Sequence, residues 1–182
     1  MDTGEAVISG MRQALDELDR CLGWRVAGVA VSGAGTPSFK HIATHEDPAR
    51  FTIRVLVAPM ISLLGYGEVR GPFPDRPLEA CGSLVVAVGM NRPLDEDSLM
   101  DGMRRRGCAK GIATDGFRWT LAVRTPGGIA VTRVDLRPCY VAILEERRFR
   151  CPADIDPAAV EGFVRRFSRR SRGRRHASSD VS

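Results

Sequence analysis

The run Leu84-Val-Val-Ala-Val88 constrains the fold of this chain more than any other segment. Every residue in it is apolar, so a strand formed here has no polar face to turn toward water. Such a strand must be covered on both faces, which is typical of an internal strand in a sheet flanked by helices. Lys110-Gly-Ile-Ala-Thr114 predicts a second buried strand. We therefore expect an α/β fold with at least these two strands inside the sheet.

Apolar periodicity and turn residues predict the remaining elements. Apolar residues spaced by three or four predict an amphipathic helix over residues 5–22. Asp47-Pro48 is a helix start, and this helix is predicted to reach Leu64, with a kink at Pro59 and a cap at Gly65. The other predicted elements are a strand at 24–31, a short strand at 66–71, a hairpin of strands 78–81 and 83–90, a helix from 95 to 107, a hairpin of strands 117–124 and 129–136, and a last helix at 157–167.

These elements predict a mixed sheet of about five strands flanked by helices. A chain of 182 residues suits one domain with one core. We predict four regions: an N-terminal helix and arm at 1–43, the core at 44–156, a C-terminal helix at 157–168 and a disordered arginine-rich tail at 169–182.

Several classes of protein are disfavoured by the composition. No apolar run approaches the length of a membrane span and the first residues do not form a secretory signal, so we expect a cytoplasmic protein without a membrane partner. The five cysteines include no Cys-x-x-Cys pair, and the three histidines show no metal-ligand spacing. We therefore expect no zinc site and no disulfide framework.

Basic charge is concentrated at the C-terminus. Residues 165–182 hold seven arginines against one acid and carry a net charge of +6, so the other 164 residues sum to −1 of the total +5. A polyanionic partner is therefore predicted for the tail rather than for the body. The candidate nucleic-acid ligands are two groups of arginines: Arg104, Arg105 and Arg106 at the end of a predicted helix, and Arg165, Arg166, Arg169, Arg170, Arg172, Arg174 and Arg175 in the tail.

Three segments resemble the N-terminal domain of the type I restriction enzyme R subunit and its stand-alone relatives. They are Arg54-Val-Leu-Val-Ala-Pro-Met-Ile-Ser-Leu-Leu-Gly-Tyr66, the pair of predicted strands between Leu78 and Met90, and Lys110-Gly-Ile-Ala-Thr-Asp-Gly-Phe-Arg-Trp119. The third is the most specific, because it is similar to the family's Gly-Ile-Leu-Thr-Asn-Gly-x-x-Trp segment. The resemblance spans roughly residues 44–136 and implies a restriction-endonuclease-like fold of the PD-(D/E)XK superfamily.

The resemblance also implies a magnesium site that this sequence lacks in part. Family members place one acid on each of two strands to hold Mg²⁺, and a lysine two residues after the second acid helps to position the attacking water. In this sequence Ala87 occupies the position of the second acid, and Gly89 occupies the position of the lysine. Neither residue can bind a metal or donate a proton.

Three interpretations remain open from the sequence. We expect first a catalytically inactive nuclease-like domain, without a metal or cofactor, that binds nucleic acid weakly and without sequence preference. The second is a divergent Mg-dependent endonuclease with relocated site residues, and the third is a module that binds an unknown protein. The candidates for a relocated site are Asp75, Glu79, Glu46 and Lys110. Each has a simpler structural explanation, such as an exposed turn acid for Asp75 or a helix-start acid for Glu46.

Overall fold

A five-stranded mixed sheet organises the part of the chain that this computed structural model describes, residues 2–35, 47–68, 78–80 and 82–169. The helices are α1 (Thr3–Leu22), α2 (Trp24–Ser32), α3 (Pro48–Thr52), α4 (Ala58–Leu63), α5 (Glu96–Arg106), α6 (Arg137–Phe149) and α7 (Pro157–Phe167), and a π-helical segment (Ile53–Val57) joins α3 to α4. The strands are β1 (Leu78–Ala80), β2 (Ser83–Ala87), β3 (Lys110–Thr114), β4 (Arg118–Thr125) and β5 (Gly128–Asp135). The predicted α/β class and the five-stranded sheet are confirmed.

The strands lie in the order β1-β2-β3-β4-β5. Only β2 and β3 are parallel, and α5 connects them across one face of the sheet. The apolar run in β2 is therefore internal, as its composition predicts. Both predicted hairpins form as well, β1 with β2 and β4 with β5.

The two faces of the sheet support hydrophobic cores of unequal size. On one face Val85, Ile112 and Trp119 join a large core formed with α1, α4, α6 and α7. On the other face Leu84, Ala113 and Ala122 pack against Leu99 and Met103 of α5. Alternate residues of a strand project to opposite faces, and both faces are covered here, which is why the central residues of β2 and β3 are apolar.

A close contact between α5 and β3 depends on a glycine. A Cβ atom at Gly111 would lie 2.6 Å from the sulfur of Met103 and 2.8 Å from Leu99 Cδ1. The missing side chain lets the helix lie directly on the strand. This contact fixes the position of the arginines in the last turn of α5 relative to the sheet.

The N-terminal segment differs from its prediction in two ways. Residues 24–31, predicted as a strand, instead form helix α2. Ala30 and Val31 follow Ala27 by three and four residues and are buried with it on one face, whereas Trp24 and Val29 face solvent. The predicted arm at 1–43 also supplies α1 to the large core, where Val7, Met11, Leu15 and Leu18 are fully buried. The described part of this segment is therefore integral to the domain.

The predicted helix at 47–64 is confirmed, with an irregularity near Pro59. The Asp47 carboxylate caps it by accepting hydrogen bonds from the amides of Ala49 and Arg50. Proline has no amide hydrogen and its ring crowds the preceding turn, and here the ladder changes to a π-helical turn at Ile53–Val57 just before Pro59. Gly65 follows in a left-handed conformation, with φ of 85°.

Helix α6 was not predicted from the sequence, although its start carries a recognisable signal. Pro138 occupies the first turn, where a missing amide hydrogen costs nothing, and Cys139, Tyr140 and Ile143 form its buried face. Residues 66–68 of the predicted strand at 66–71 are not a strand, and the rest of it lies outside the described residues. No helix in the described ranges is both long enough and apolar enough to cross a bilayer.

Candidate nucleic-acid interface

The acid predicted on β1, Glu79, lies on the face of the sheet that α5 covers. It is paired with Leu84, which is in turn paired with Gly111, so all three residues project to that face. Glu79 is exposed, and its carboxylate forms an ion pair with Arg106 at 2.5 Å. The carboxylate is therefore occupied by a cation from the end of α5.

Lys110 projects to the opposite face, at the start of β3. Its Nζ donates hydrogen bonds to Tyr66 Oη at 3.1 Å and to the carbonyl of Ser168 at 3.5 Å, and it lies 5.6 Å from the centre of the Tyr66 ring. Burial raises the pKa of Tyr66 to about 12, so its hydroxyl is neutral near pH 7. The hydroxyl oxygen accepts the hydrogen bond from Lys110 through a lone pair. Lys110 thus joins β3 to the segments after α4 and α7.

The motif positions Ala87 and Gly89 lie at the other end of the parallel strands. Ala87 is paired with Thr114, four residues along β3 from Lys110, a separation of about 13 Å along the strand. A Cβ atom at Gly89 would lie 3.2 Å from Pro48 Cβ, so the start of α3 occupies the space beside it. Ala87, Glu79 and Lys110 therefore do not converge.

The remaining candidates for a metal site cannot be placed, because Asp75 and Glu46 lie outside the described residues. Within the described ranges, no three His, Cys, Asp or Glu side chains are grouped as metal ligands. The relocated site inferred from the resemblance thus has no assembled donor set in this part of the chain.

The last turn of α5 presents three consecutive arginines. Arg104 is bound to Asp101 at 2.7 Å and Arg106 to Glu79, while the Arg105 side chain is exposed. Cations are stabilised at this end of a helix by the partial negative charge of its free carbonyl groups. Gly107 then ends the helix in a left-handed conformation with φ of 67°.

The last turn of α7 presents a second group of arginines. The rings of Phe163 and Phe167 stack on each other, with centroids 4.8 Å apart, and their edge contacts with Trp119 anchor the helix to the sheet. Arg165 and Arg166 are exposed. The Arg169 amide then donates to the carbonyl of Leu64 at 3.0 Å, which holds the chain where the tail begins. The tail arginines Arg170, Arg172, Arg174 and Arg175 lie outside the described residues.

These two helix ends meet at the amino end of β3. Lys110 contacts Ser168 just after α7, and the Cys108 amide donates to the carbonyl of Met103 in the last turns of α5. Arg124 also reaches this point, because its guanidinium donates to the Met103 carbonyl at 3.1 Å. We call this surface the basic edge, formed by Arg104, Arg105, Arg106, Lys110, Arg124, Arg165, Arg166 and Arg169.

A shallow groove of about 320 Å³ opens on the basic edge. Arg104 and Arg124 form one wall, and the turn around Pro126 between β4 and β5 forms another. Its lining includes two guanidinium groups and no carboxylate, although the Asp101 carboxylate lies 2.7 Å from the guanidinium of Arg104.

A second polar cluster lies at the opposite end of the sheet and was not singled out from the sequence. Asp115 is fully buried, and its carboxylate accepts hydrogen bonds from the amides of Phe117 and Arg118 and from the Arg118 guanidinium at 2.6 and 2.9 Å. Arg137 lies 3.9 Å away. The turn residues Asp115-Gly116 were recognisable in the sequence and Arg118 follows them directly, but the approach of Arg137 from α6 was not.

This cluster also holds helix α2. Arg137 donates to Asn91 Oδ1 at 2.9 Å, and Asn91 Nδ2 donates to the carbonyls of Ala30 and Gly35 at 2.9 and 2.7 Å. Asn91 adopts a left-handed φ of 61° to do so. A nearby groove of about 420 Å³ contains Arg118, Arg133 and Glu96, but its arginines are bound to carboxylates. We therefore assign the cluster a structural role.

Comparison with protein-family models, with curated proteins and with solved structures finds no match for this chain.

Proposed function

We propose that this chain is a non-catalytic, nuclease-like domain that binds nucleic acid through phosphate contacts, without sequence preference, in a restriction, defence or DNA-processing setting. The observation that carries the proposal is the convergence of the arginine-bearing ends of α5 and α7 at the basic edge. Arginines separated by some sixty positions in the chain are thereby brought to one end of the sheet, where the tail begins.

The ion pairs of the basic edge leave its arginines available to phosphate. Arg104 and Asp101 have side chains that are 63% and 60% exposed, and exposed pairs of this kind contribute only about 0–1 kcal/mol. A phosphate can replace the carboxylate and accept both hydrogen bonds of the guanidinium fork. The surface therefore suits an extended polyanion better than one small anion.

Weak binding is expected because the body of the chain carries almost no net charge. The first 164 residues sum to −1, whereas the last 18 carry +6. Affinity should therefore come from several phosphate contacts that release counterions together, and it should fall steeply with salt.

We propose that the chain does not cleave DNA because of the residues at the two positions that the resemblance aligns with the second acid and the lysine. Ala87 and Gly89 supply neither carboxylate nor amine, and Glu79 and Lys110 are each engaged in contacts on opposite faces of the sheet. These contacts explain the side chains of both residues without a metal.

Fluorescence anisotropy with a labelled duplex across a salt series tests the binding. With about five phosphates contacted, the slope of log K against log salt is expected to be roughly −4 to −5. The full-length variant with Arg170, Arg172, Arg174 and Arg175 changed to Gln should lose most of the affinity and about three to four units of slope. Equal affinity of this variant and the parent would leave only the basic edge as the binding surface, and no binding by either protein would refute the proposal.

Incubation with supercoiled, linear and single-stranded DNA in Mg²⁺ or Mn²⁺ tests the catalytic half of the proposal. We expect no cleavage. Metal-dependent cleavage that Glu79→Ala or Asp75→Ala abolishes would identify a divergent endonuclease instead. The paired control is Asp101→Ala, which removes an exposed carboxylate from α5 and should not alter the outcome of the cleavage assay.

A further inference from the structure

Two aromatic side chains are exposed at one end of the α2–α6 pair. Trp24 is 69% exposed and Phe149 is 62% exposed, whereas the other tryptophan of the chain, Trp119, is fully buried. Large aromatic side chains are normally buried, because burying one typically removes about 150–250 Å² of largely apolar surface from water. Their exposure here therefore needs an explanation other than folding.

The fold brings the two aromatic residues to the same end of the molecule. Arg147, two residues before Phe149, binds Asp16 and Asp19 of α1 at 2.9 and 3.4 Å. Helix α1 ends a few residues later at Leu22, and α2 begins at Trp24. The other end of α2 lies at the start of α6, since a Cβ atom at Gly33 would be 2.7 Å from the Arg137 guanidinium. The two helices thus run antiparallel.

Each exposed ring is accompanied by an arginine. Arg25 lies 5.3 Å from the centre of the Trp24 ring, and Arg148 lies 5.2 Å from the centre of the Phe149 ring. Both guanidinium groups lie within the distance at which a cation is attracted to the face of an aromatic ring. We call this surface the aromatic patch, formed by Trp24, Arg25, Arg148, Phe149 and Arg150.

The positive charge of the aromatic patch is not neutralised within the described ranges. No carboxylate there forms an ion pair with Arg25, Arg148 or Arg150. Of the adjacent acids, Glu146 is bound by Arg12, and Asp16 and Asp19 are bound by Arg147. Glu145 is exposed, three residues before Arg148, and no ion pair joins the two. The patch therefore combines flat apolar faces with cations that complement an anionic ligand.

We propose that the aromatic patch binds single-stranded nucleic acid by stacking unpaired bases on Trp24 and Phe149 while the flanking arginines contact the phosphates. Exposed rings interleaved with cations are what a sequence-tolerant single-strand site requires, because every base has a stacking face and every linkage has a charge. Duplex DNA does not meet this requirement, since its bases are already stacked. The partner is therefore a strand with unpaired bases rather than the duplex proposed for the basic edge.

The aromatic patch is separate from the basic edge. Gly10 of α1 lies against Leu63, next to the point where the tail is held, since a Cβ atom at Gly10 would be 2.6 Å from Leu63 Cδ1. From Gly10 to Leu22 the helix extends roughly 18 Å at its usual rise. The end of α1 beside the aromatic patch is therefore separated from Arg169, where the tail begins.

Intrinsic fluorescence of the full-length protein tests the proposal directly, because Trp24 is exposed and Trp119 is not. The probes are an oligothymidylate of about 12 nucleotides, a length within the range of single-strand sites, and an abasic strand of the same length. Both strands carry phosphates, but only the first carries bases. We expect the oligothymidylate to quench Trp24 emission and the abasic strand to leave it unchanged.

Variants separate stacking from charge. Trp24→Ala and Phe149→Ala should each weaken oligothymidylate binding at least about fivefold in anisotropy and leave abasic-strand binding unchanged. The matched control is Val29→Ala, which removes another exposed apolar group from α2 and should bind as the parent does. Circular dichroism should show the parental helix content for all three variants.

Three results would overturn the proposal. One is unchanged Trp24 emission at saturating oligothymidylate, and another is equal quenching by the abasic strand. The third is a concentration-dependent dimer in sedimentation velocity that Trp24→Ala abolishes, which would assign the patch to self-association. None of these results bears on the basic edge, because its duplex binding is measured separately in the salt series.

Discussion

The two ends of the β3 strand use arginine for opposite purposes. At its carboxyl end Arg118 and Arg137 converge on the fully buried carboxylate of Asp115, and Arg137 has a side chain only 22% exposed. At its amino end Arg104 and Arg106 form ion pairs in which all four side chains are at least 36% exposed. Burial of the carboxylate therefore distinguishes the two ends, because the Arg118 side chain, at 37%, is as exposed as that of Arg106. An arginine paired with an exposed carboxylate can exchange that partner for a ligand.

The energetic reason is the environment of the charges. A buried carboxylate cannot be hydrated. Substitution of either the carboxylate or its partners therefore leaves a polar group without a partner. An exposed pair can be replaced by water or phosphate at little cost. The following predictions test this contrast, from the largest expected effect to the smallest.

Substitution of Asp115 by Ala should cause the largest loss of stability. The change leaves two arginine side chains and two backbone amides without their acceptor, and we expect a cost of about 3–5 kcal/mol. For a chain of this size that corresponds to a fall in Tm of roughly 6–20 °C by calorimetry. Asp115→Asn is the matched control, because it keeps an acceptor for the amides of Phe117 and Arg118 and should cost less. A Tm for Asp115→Ala within 2 °C or so of the parent would contradict the structural assignment.

Substitution of Ala87 by Glu tests whether the position that the resemblance aligns with a metal-binding acid faces an open pocket. Ala87 is half-buried against the large core, so a carboxylate placed there loses part of its hydration, at a cost of about 2 kcal/mol. Ala87→Gln has the same size without the charge. We expect the Glu variant to melt below the Gln variant, and equal melting temperatures would indicate a hydrated, polar pocket at this position.

Neutralising the basic edge should reduce binding without affecting the fold. Because about four of the five expected phosphate contacts are assigned to the tail, changing Arg104, Arg105 and Arg106 to Gln should remove about one contact, and the salt slope on duplex DNA should become less negative by about one unit. Arg25→Gln with Arg148→Gln is the comparison, because it removes cations from the aromatic patch instead. If the α5 variant keeps the parental slope, then the tail alone accounts for the electrostatic binding.

The smallest effect is expected for the exposed ion pair on α5. Asp101→Ala removes the partner of Arg104 and should change the free energy of unfolding by less than about 0.5 kcal/mol. The same variant should bind duplex DNA slightly more tightly, because a negative charge has left the basic edge. A destabilisation comparable to that of Asp115→Ala would show that the two ends of the sheet do not differ in the way proposed.

The sheet and most helices could be predicted from local patterns. The apolar run of β2, the Asp47-Pro48 cap and the stripe of α1 each act over a few residues, and each element forms where it was predicted. Segment 24–31 was predicted wrongly because Val and Ala are compatible with a strand or a helix when only a short apolar stretch is considered. Helix α6 was overlooked, although Pro138 and its buried stripe were visible in the sequence.

The sequence by itself determined the alternation of buried strands and amphipathic helices and the concentration of charge in the last 18 residues. Only the tertiary structure decided which distant residues meet. It placed Glu79 and Lys110 on opposite faces, joined the ends of α5 and α7 at one edge, and left Trp24 beside the end of α6. The reason is that secondary structure depends on neighbours three or four positions apart, whereas a site depends on strand register and helix packing, which are set by the whole core at once.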